Sequence, residues 1–459
     1  MKKVSLLSLL MLSSCMVGPD YKESEKVSDV DVSEALDITA SNVKVNRNLL
    51  DFNDNTLDIL IDMAIKNNPT YDSALIAARQ ARANIRIAES KLMPTLSLEA
   101  QYDYLKANDE TSTLATDDYY ELGLDASWEL DIWGGNRRGI EATEAKLKAQ
   151  LYDVRNAYIT LTAEVATSYI DYRTTQELIK VTKENIKVQK ELTKLVQDKY
   201  DTGLVDNLEL SQALYLLNST EASLSALEYD KEMYKNSLAL LTGQLPNALD
   251  EILDKNKNNV INQRMDYDIK NIYNLPADVV RNRPDVKQQE ELLKAENALV
   301  GVKLANMYPN VSISAVFGFE FINLGNAFDS SSQVYGYNPV ISLPIFNYGA
   351  LRSEVEKQKD ATLIQANTYH NSVLSAASEI KNAMVAINTE NTKNAKLRSS
   401  YNHAKIATDL NKDKYKSGLV EYSAVLESEQ DKISAQNDMV SSNGALYKNI
   451  VVFYKSIGG

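Results

Sequence analysis

The chain has 459 residues, a formal net charge of −14 and a pI of about 4.9, a balance that argues against nucleic acid as a partner. Its only His are His370 and His403 and its only Cys is Cys15, so neither a His/Cys metal centre nor a Ser-His-Asp or Cys-His catalytic set can be assembled, and no enzyme activity or cofactor is expected. The 26 Tyr against 2 Trp suit sites where one end of the ring is wet and the other apolar.

The chain opens as an exported protein does. Residues 1–14 read as a signal peptide, with Lys2-Lys3 ahead of a short apolar run, Val4 to Leu12, that is too brief to span a bilayer. Leu12-Ser13-Ser14-Cys15 looks like a bacterial lipobox, which would leave Cys15 as the lipid-bearing (palmitate) residue. Met16 rather than Asp follows, and by analogy with lipoprotein sorting that addresses the outer membrane. Residues 15–55 are polar and acidic and are expected to form an extended leader against the body.

A helix is expected from about Thr56 to Pro69 and a second from Thr70 to Met93, before Pro94. The period then changes from helical to two. Leu96, Leu98, Ala100, Tyr102 and Tyr104 alternate with Thr95, Ser97, Glu99, Gln101 and Asp103. After a polar loop, Lys106 to Asp118, the alternation resumes from Tyr119 to Leu130, with Glu121, Asp125 and Glu129 on the polar side. The same pattern returns in 310–321, with Glu320 on the polar side, and in 334–343. Four strands of roughly 10–12 residues, each with one more apolar face and with an acidic opposite face in the first two, match the length that crosses a bilayer when tilted.

Each hairpin (95–130 and 310–345) leads into a long helical pattern, about 137–200 and 350–415, and then a return helix, about 208–241 and 422–457. Coiled-coil stripes are read at Leu147, Leu151, Val154, Tyr158, Leu161 and Val165, and at Leu363, Ala366, His370, Val373, Ala377, Ile380, Met384 and Ile387. His370 on this stripe is a core residue, and His403 carries no argument. Arg79, Arg82 and Arg86 form a solvated or salt-bridging helix face. The tips joining long and return helices are Lys199 to Asp206 (KYDTGLVD) and Lys414 to Glu421 (KYKSGLVE), with Gly203 and Gly418 as turn residues. Their starting positions differ by 414 − 199 = 215. Pro69 and Pro284, and Pro94 and Pro309, keep the same offset, whereas Leu130-Asp131-Ile132-Trp133 answers Leu343-Pro344-Ile345-Phe346 at 343 − 130 = 213. The chain is thus a duplication: a first repeat 56–245 with its tip at 200–206, a linker 246–275, and a second repeat 276–459 with its tip at 415–421.

The segment CMVGPDY, the paired KNNP and RNRP, ELDIWGGNRR and the twin tips together resemble the TolC-type outer-membrane efflux proteins, in the branch of lipoprotein channels that serve resistance–nodulation–division (RND) pumps. The resemblance covers nearly the whole chain after Cys15. It implies an α+β membrane protein: a homotrimer whose protomers each give four strands to one twelve-stranded β-barrel, continued by a long α-helical barrel with a mixed equatorial belt. Four strands alone agree, since they cannot close on themselves and lipid does not tolerate open edges. The implied partners are a periplasmic adaptor (membrane fusion) protein, an inner-membrane RND pump and outer-membrane lipid. The implied function is a passive exit duct, and a type I secretion exit channel or a periplasmic coiled-coil scaffold are the alternatives. Its implied periplasmic gate is formed by Glu209 and Glu427 with Tyr200 and Tyr415. A ring of Glu427 could take a divalent cation, although no metal site is built into a single chain. Where the family's latch has an Arg this chain has Val420, and another acidic position is Ala424. The strand carboxylates Glu99, Asp103, Glu121, Asp125, Glu129 and Glu320 are expected to line a water-filled lumen.

Overall fold

A computed structural model describes residues 16, 18–20, 52, 54–105, 117–255, 261 and 278–459. Cys15, the signal peptide, most of the leader, most of the 106–118 loop and most of the 246–275 linker lie outside the described residues. The elements are α1 (Asn55–Asn67), α2 (Pro69–Ser90), β1 (Thr95–Leu105), β2 (Asp117–Leu130), α3 (Gly135–Asp201), α4 (Asn207–Leu241), α5 (Asp250–Lys255), α6 (Asp278–Asn282), α7 (Pro284–Ala305), β3 (Asn310–Phe321), β4 (Gln333–Ser342), α8 (Ala350–Lys416) and α9 (Tyr422–Ser456). At 67 residues each, α3 and α8 are about 100 Å long.

The offset of 215 runs through the whole fold: the bounds of α7, α8 and α9 are those of α2, α3 and α4 shifted by that amount. Gly134 (φ 75°) and Gly349 (φ 84°) immediately precede α3 and α8 and share the left-handed backbone that Gly adopts without strain. The offset of 213 read at Leu130–Trp133 is therefore corrected to 215. A turn with a positive φ fixes the alignment more firmly than similarity of side chains, and Trp133 corresponds to Tyr348.

The described residues divide into two compact units. The first takes in 76–152 and 287–371 with leader residues 16 and 18–20; the second takes in the described residues of 52–75, 153–286 and 372–459. In the first unit the strands form one antiparallel sheet in the order β1-β2-β3-β4. Close to it, Ala142 and Ala145 of α3 meet Ala295 and Ala298 of α7. Small side chains let the two backbones approach. Leu151 and Tyr158, expected on the buried stripe, are exposed, and so is Leu363 on α8. The α8 stripe is buried from Val373 to Ile387 through Ala377, Ile380 and Met384. Ahead of it α8 meets α7 through polar bonds instead: Gln358 donates to Glu296 Oε2 (2.6 Å) and Gln365 to Gln289 Oε1 (3.0 Å).

In the second unit one joint is built twice. Asn68 caps α2 by accepting from Thr70 and Tyr71 N–H, with Pro69 at the first helical position. Its Nδ2 also donates to the Leu241 carbonyl at the end of α4 (2.9 Å). Arg283, the counterpart of Asn68 in the second repeat, donates to the equivalent Ser456 carbonyl (2.9 Å) and pairs with Asp285 and Glu379. The fully buried side chains of this unit include Leu57, Leu60, Tyr172, Leu238, Ile450 and Phe453. Burial pushes the Tyr172 phenol up to about 12.

Candidate functional site

Two places carry the residues of interest: the sheet, and the pair of helical tips.

The sheet register sorts every strand residue to a face. Leu98 lies opposite Leu124 and Leu124 opposite Phe317, which lies opposite Tyr335. This row belongs to a continuous apolar face, closed at one end by Tyr102, Tyr120 and Phe321, whose neighbouring ring centroids are 4.8 and 5.6 Å apart. Trp128 marks the other end, its indole N–H donating to the Leu92 carbonyl. From Tyr120 to Trp128 the band is about 27 Å along the strand, the height of a bilayer-spanning apolar belt. Within one chain that face is largely bare: Leu96, Leu98, Phe317, Tyr335 and Tyr337 are exposed.

The other face collects all six carboxylates expected to share it: Glu99, Asp103, Glu121, Asp125, Glu129 and Glu320. Glu121 lies directly opposite Glu320, an arrangement of like charges that is unfavourable unless water screens it. Asp103 is held by Gln101 Nε2 (2.8 Å) and Glu129 by Asn310 Nδ2 (2.9 Å). In the middle Gly123 faces Gly318, where an added Cβ would come within 2.6 Å of the Leu122 carbonyl oxygen, so the two backbones meet without side chains.

At the sheet's helix-bearing end ELDIWGGNRR has structural work. The Asp131 carboxylate caps α3, accepting from Asn136 and Arg137 N–H at 3.0 Å each. Trp133 stacks on Tyr308 (4.7 Å) and donates to the Pro309 carbonyl (2.8 Å). Buried Arg138 pairs with Asp20 (2.8 Å) and Glu141 (2.7 Å) and donates to the Gly18 carbonyl. Gly18 and Asp20 thus contact α3 through Arg138. The Arg138–Asp20 pairing gave no sequence signal, because its partners are 118 residues apart.

The tips repeat each other in backbone. Leu204 N–H bonds the Lys199 carbonyl and Leu419 N–H the Lys414 carbonyl, while Gly203 (φ 72°) and Gly418 (φ 74°) make the left-handed turn. The side chains differ. Tyr415 is 4% exposed, in an apolar cluster with Leu192, Val196, Leu210, Tyr422 and Val425, whereas Tyr200 is 40% exposed. The Tyr415 hydroxyl donates to Glu209 Oε2 (3.0 Å), and Lys199 Nζ lies 3.8 Å from its ring centroid. Burial, with Glu209 beside it, pushes the Tyr415 phenol well above its ordinary value. Burial first, and then the charges of Glu429 and Glu209, push Tyr422 up to about 12. Of the four expected gate residues, Glu209 and Tyr415 are brought together; Glu427 and Tyr200 are exposed. Val420 packs partly against the apolar cluster.

Just beyond that cluster, buried Glu429 on α9 contacts Lys412 of α8 directly and Lys432 at 2.9 Å. Sequence reasoning missed this trio. Glu429 and Lys432 have helical i,i+3 spacing, but Lys412 arrives only through packing of α8 on α9. His370 is half-buried on α8, His403 is exposed, and Arg79, Arg82 and Arg86 are exposed on α2. Among the described residues no three His, Cys, Asp or Glu gather as a metal site, and no helix is long and apolar enough to cross a membrane.

The family model described as "Outer membrane efflux protein" matches residues 60–244 and 275–459, two stretches whose own offset is 275 − 60 = 215. The chain is 28% identical over 474 aligned residues to the solvent efflux pump outer membrane protein SrpC of Pseudomonas putida, covering 100% of this chain and 98% of that one. It is 24% identical to the cation efflux system protein CusC of Escherichia coli K12, covering 98% and 97%. Among solved structures, the Campylobacter jejuni CmeC outer membrane channel is similar with a TM-score of 0.86, at 25% identity and covering 97% of this chain and 95% of that one.

Proposed function

The chain belongs to the outer membrane efflux protein family, and on that premise we propose that three copies form one passive exit duct, lipid-anchored at Cys15 and served by a periplasmic adaptor and an inner-membrane RND pump. It is an outer-membrane efflux protein, and its part in efflux is conduction rather than catalysis. The single observation that carries the duct reading is the two-faced sheet. A face of bare Leu, Phe and Tyr needs lipid, a face with Glu121 opposite Glu320 needs water, and only a closed barrel between the two supplies both. Four strands with two unpaired edges leave closure to other copies. No selective pocket is assigned to the duct: SrpC is named for solvents and CusC for cations, so we place substrate choice in the pump. Planar-bilayer recording tests the reading, and a cation-preferring pore is the expected result. A purified, correctly inserted protein that conducts nothing under any condition would overturn it.

The lipid anchor rests on the leader. Met16 lies against Gly134 at the helix-bearing end of the sheet, where a Cβ on that glycine would come within 2.6 Å of Met16 Cγ. Lipid on the preceding residue would therefore enter the bilayer beside the barrel's periplasmic rim. Labelling with palmitate should be lost in Cys15→Ser while insertion persists, because a barrel has a large lipid-facing area of its own. Equal labelling of wild type and variant would refute the anchor.

At the gate, Glu209 is engaged by Tyr415 while Glu427 is exposed, and we assign Glu427 to a cation site on the three-fold axis of the proposed trimer. Glu427→Ala should weaken block by magnesium added on the periplasmic side more than Glu209→Ala does. Tyr415→Phe, which deletes the hydroxyl held at Glu209, should raise basal single-channel conductance. Unchanged block in Glu427→Ala and in the double variant would move the constriction elsewhere.

A further inference from the structure

We propose that a cavity at the first repeat's joint binds a small organic cation, a guanidinium or primary ammonium on a short apolar body. The ligand would play the part that Arg283 plays at the same joint of the second repeat. The site lies within one chain, so it stands or falls independently of how copies assemble.

The second unit contains two cavities that are copies of each other. The first, of about 380 Å³, is lined among others by Glu164, Thr167, Ser237 and Leu241. The second, of about 430 Å³, is lined by Glu379, Asn382, Val452 and Ser456, the positions 215 further on. Duplication thus supplies an internal template, because what holds a position in one copy shows which chemistry the other can accept. In the second copy that template is Arg283, only 7% exposed. Its guanidinium donates to Glu379 Oε2 (2.7 Å), to both Asp285 oxygens and to the Ser456 carbonyl (2.9 Å).

The first copy keeps two of those acceptors, the Glu164 carboxylate and the Leu241 carbonyl, but residue 68 is Asn. Asn68 Nδ2 makes the bond to the carbonyl (2.9 Å), and the side chain ends there. Glu164 forms no ion pair among the described residues. Because the cavity is lined by both Glu164 and Leu241, it covers the place that a guanidinium would reach. The hydroxyls of Thr167, Ser168 and Ser237 add further acceptors, and Val451 and Val452 supply an apolar wall. Glu164 is exposed, as is the Glu379 side chain that holds Arg283. A carboxylate so placed binds a bare cation weakly, so the apolar wall must supply the rest of the affinity. The volume is at the small end of ligand sites, about 300–1,000 Å³. Lys455 is the one cation lining this cavity; it forms no ion pair with Glu164, and its own counterpart is Leu240.

Calorimetric titration of n-butylguanidinium into the full-length protein in detergent tests the site, with n-butanol as the neutral control. One n-butylguanidinium should bind per chain, because the second cavity already carries Arg283, and n-butanol should not register. Glu164→Gln should weaken binding about 10- to 100-fold, the worth of a hydrogen bond to a charged group. Asn68→Arg with Thr70→Asp copies the Arg283 and Asp285 pair into the first repeat and should abolish binding in a folded protein. Arg283→Asn should raise the count to two per chain; if it does not fold, the other two variants decide. The thermal midpoint should rise with n-butylguanidinium in wild type and stay unchanged in Glu164→Gln. Equal binding of n-butanol, or undiminished binding by Glu164→Gln, overturns the cation site. A count of two in wild type overturns the template. Wild type that binds nothing overturns the proposal as well, and binding that then appears in Lys455→Met would identify Lys455 as the resident partner of Glu164.

Discussion

Leu124→Arg is expected to eliminate the assembled trimer from the outer membrane, whereas Glu121→Arg is expected to insert and alter the current. Leu124 sits in the middle of the apolar face, between Leu98 and Phe317. A guanidinium near the midplane of the hydrocarbon costs about 2–4 kcal/mol for each copy. Three copies in one barrel multiply that penalty, which then rivals the net stability of a whole domain, about 5–15 kcal/mol. Glu121 is three residues away but on the opposite face, directly across from Glu320. Arg there exchanges a like-charge pair for an opposite-charge one, and its main effect should be to shift ion preference away from cations. Outer-membrane recovery and heat-modifiable migration check the first variant; reversal potential in a salt gradient checks the second. If Glu121→Arg proved the more damaging to assembly, the assignment of faces would be inverted.

Glu429→Ala should be the most destabilising single change near the tips. Its carboxylate is the partner of two ammonium groups, Lys412 and Lys432, and the three side chains have only 1%, 15% and 11% of their surface exposed. Deleting it leaves two like charges facing each other with little water. Breaking a buried ion network in this way costs about 3–5 kcal/mol. The apolar tip cluster starts at Val425, one helical turn away, so the loss should also loosen the tip and raise basal conductance. Replacing all three at once, Lys412→Met with Glu429→Leu and Lys432→Met, should restore most of the stability, because an apolar trio of similar volume carries no desolvation cost. Thermal unfolding in detergent reads both variants. A Glu429→Ala protein as stable as wild type would mean that water reaches the lysines and that the trio is a surface feature.

Much of the fold could be read from the chain because its signals are local and periodic. Alternation located four strands and sorted Glu99, Glu121 and Glu320 to one face; Gly203 and Gly418 marked the tips; the recurrence of Pro69 and Pro94 at a constant offset exposed the duplication. What escaped depends on pieces meeting in space. Of the stripe expected on α3, Leu161 and Val165 are buried but Leu151 and Tyr158 are exposed, and nearer the sheet Ala142 and Ala145 are buried because α7 presents Ala295 and Ala298. Trp133 read as a landmark of the repeat at 213, but backbone geometry aligns it with Tyr348. Arg138 and the Glu429 trio depend on partners from other segments, and no spacing announces those. The tip tyrosines read as equivalents, and only packing separates buried Tyr415 from exposed Tyr200.

The glycine pair at the centre of the sheet has a consequence for how the molecule assembles with itself. A protomer with two different, mutually complementary edges associates head to tail, and such association ends in a ring only if successive rotations close; otherwise it grows into an open filament. Rotation per protomer is set by how sharply the wall coils, and Gly318 facing Gly123 lets two strands approach where a side chain at 318 would push them apart. Enlarging Gly318 therefore changes more than local stability. A flatter wall misses closure, and the same two edges that make a finite pore would then join an unlimited number of chains.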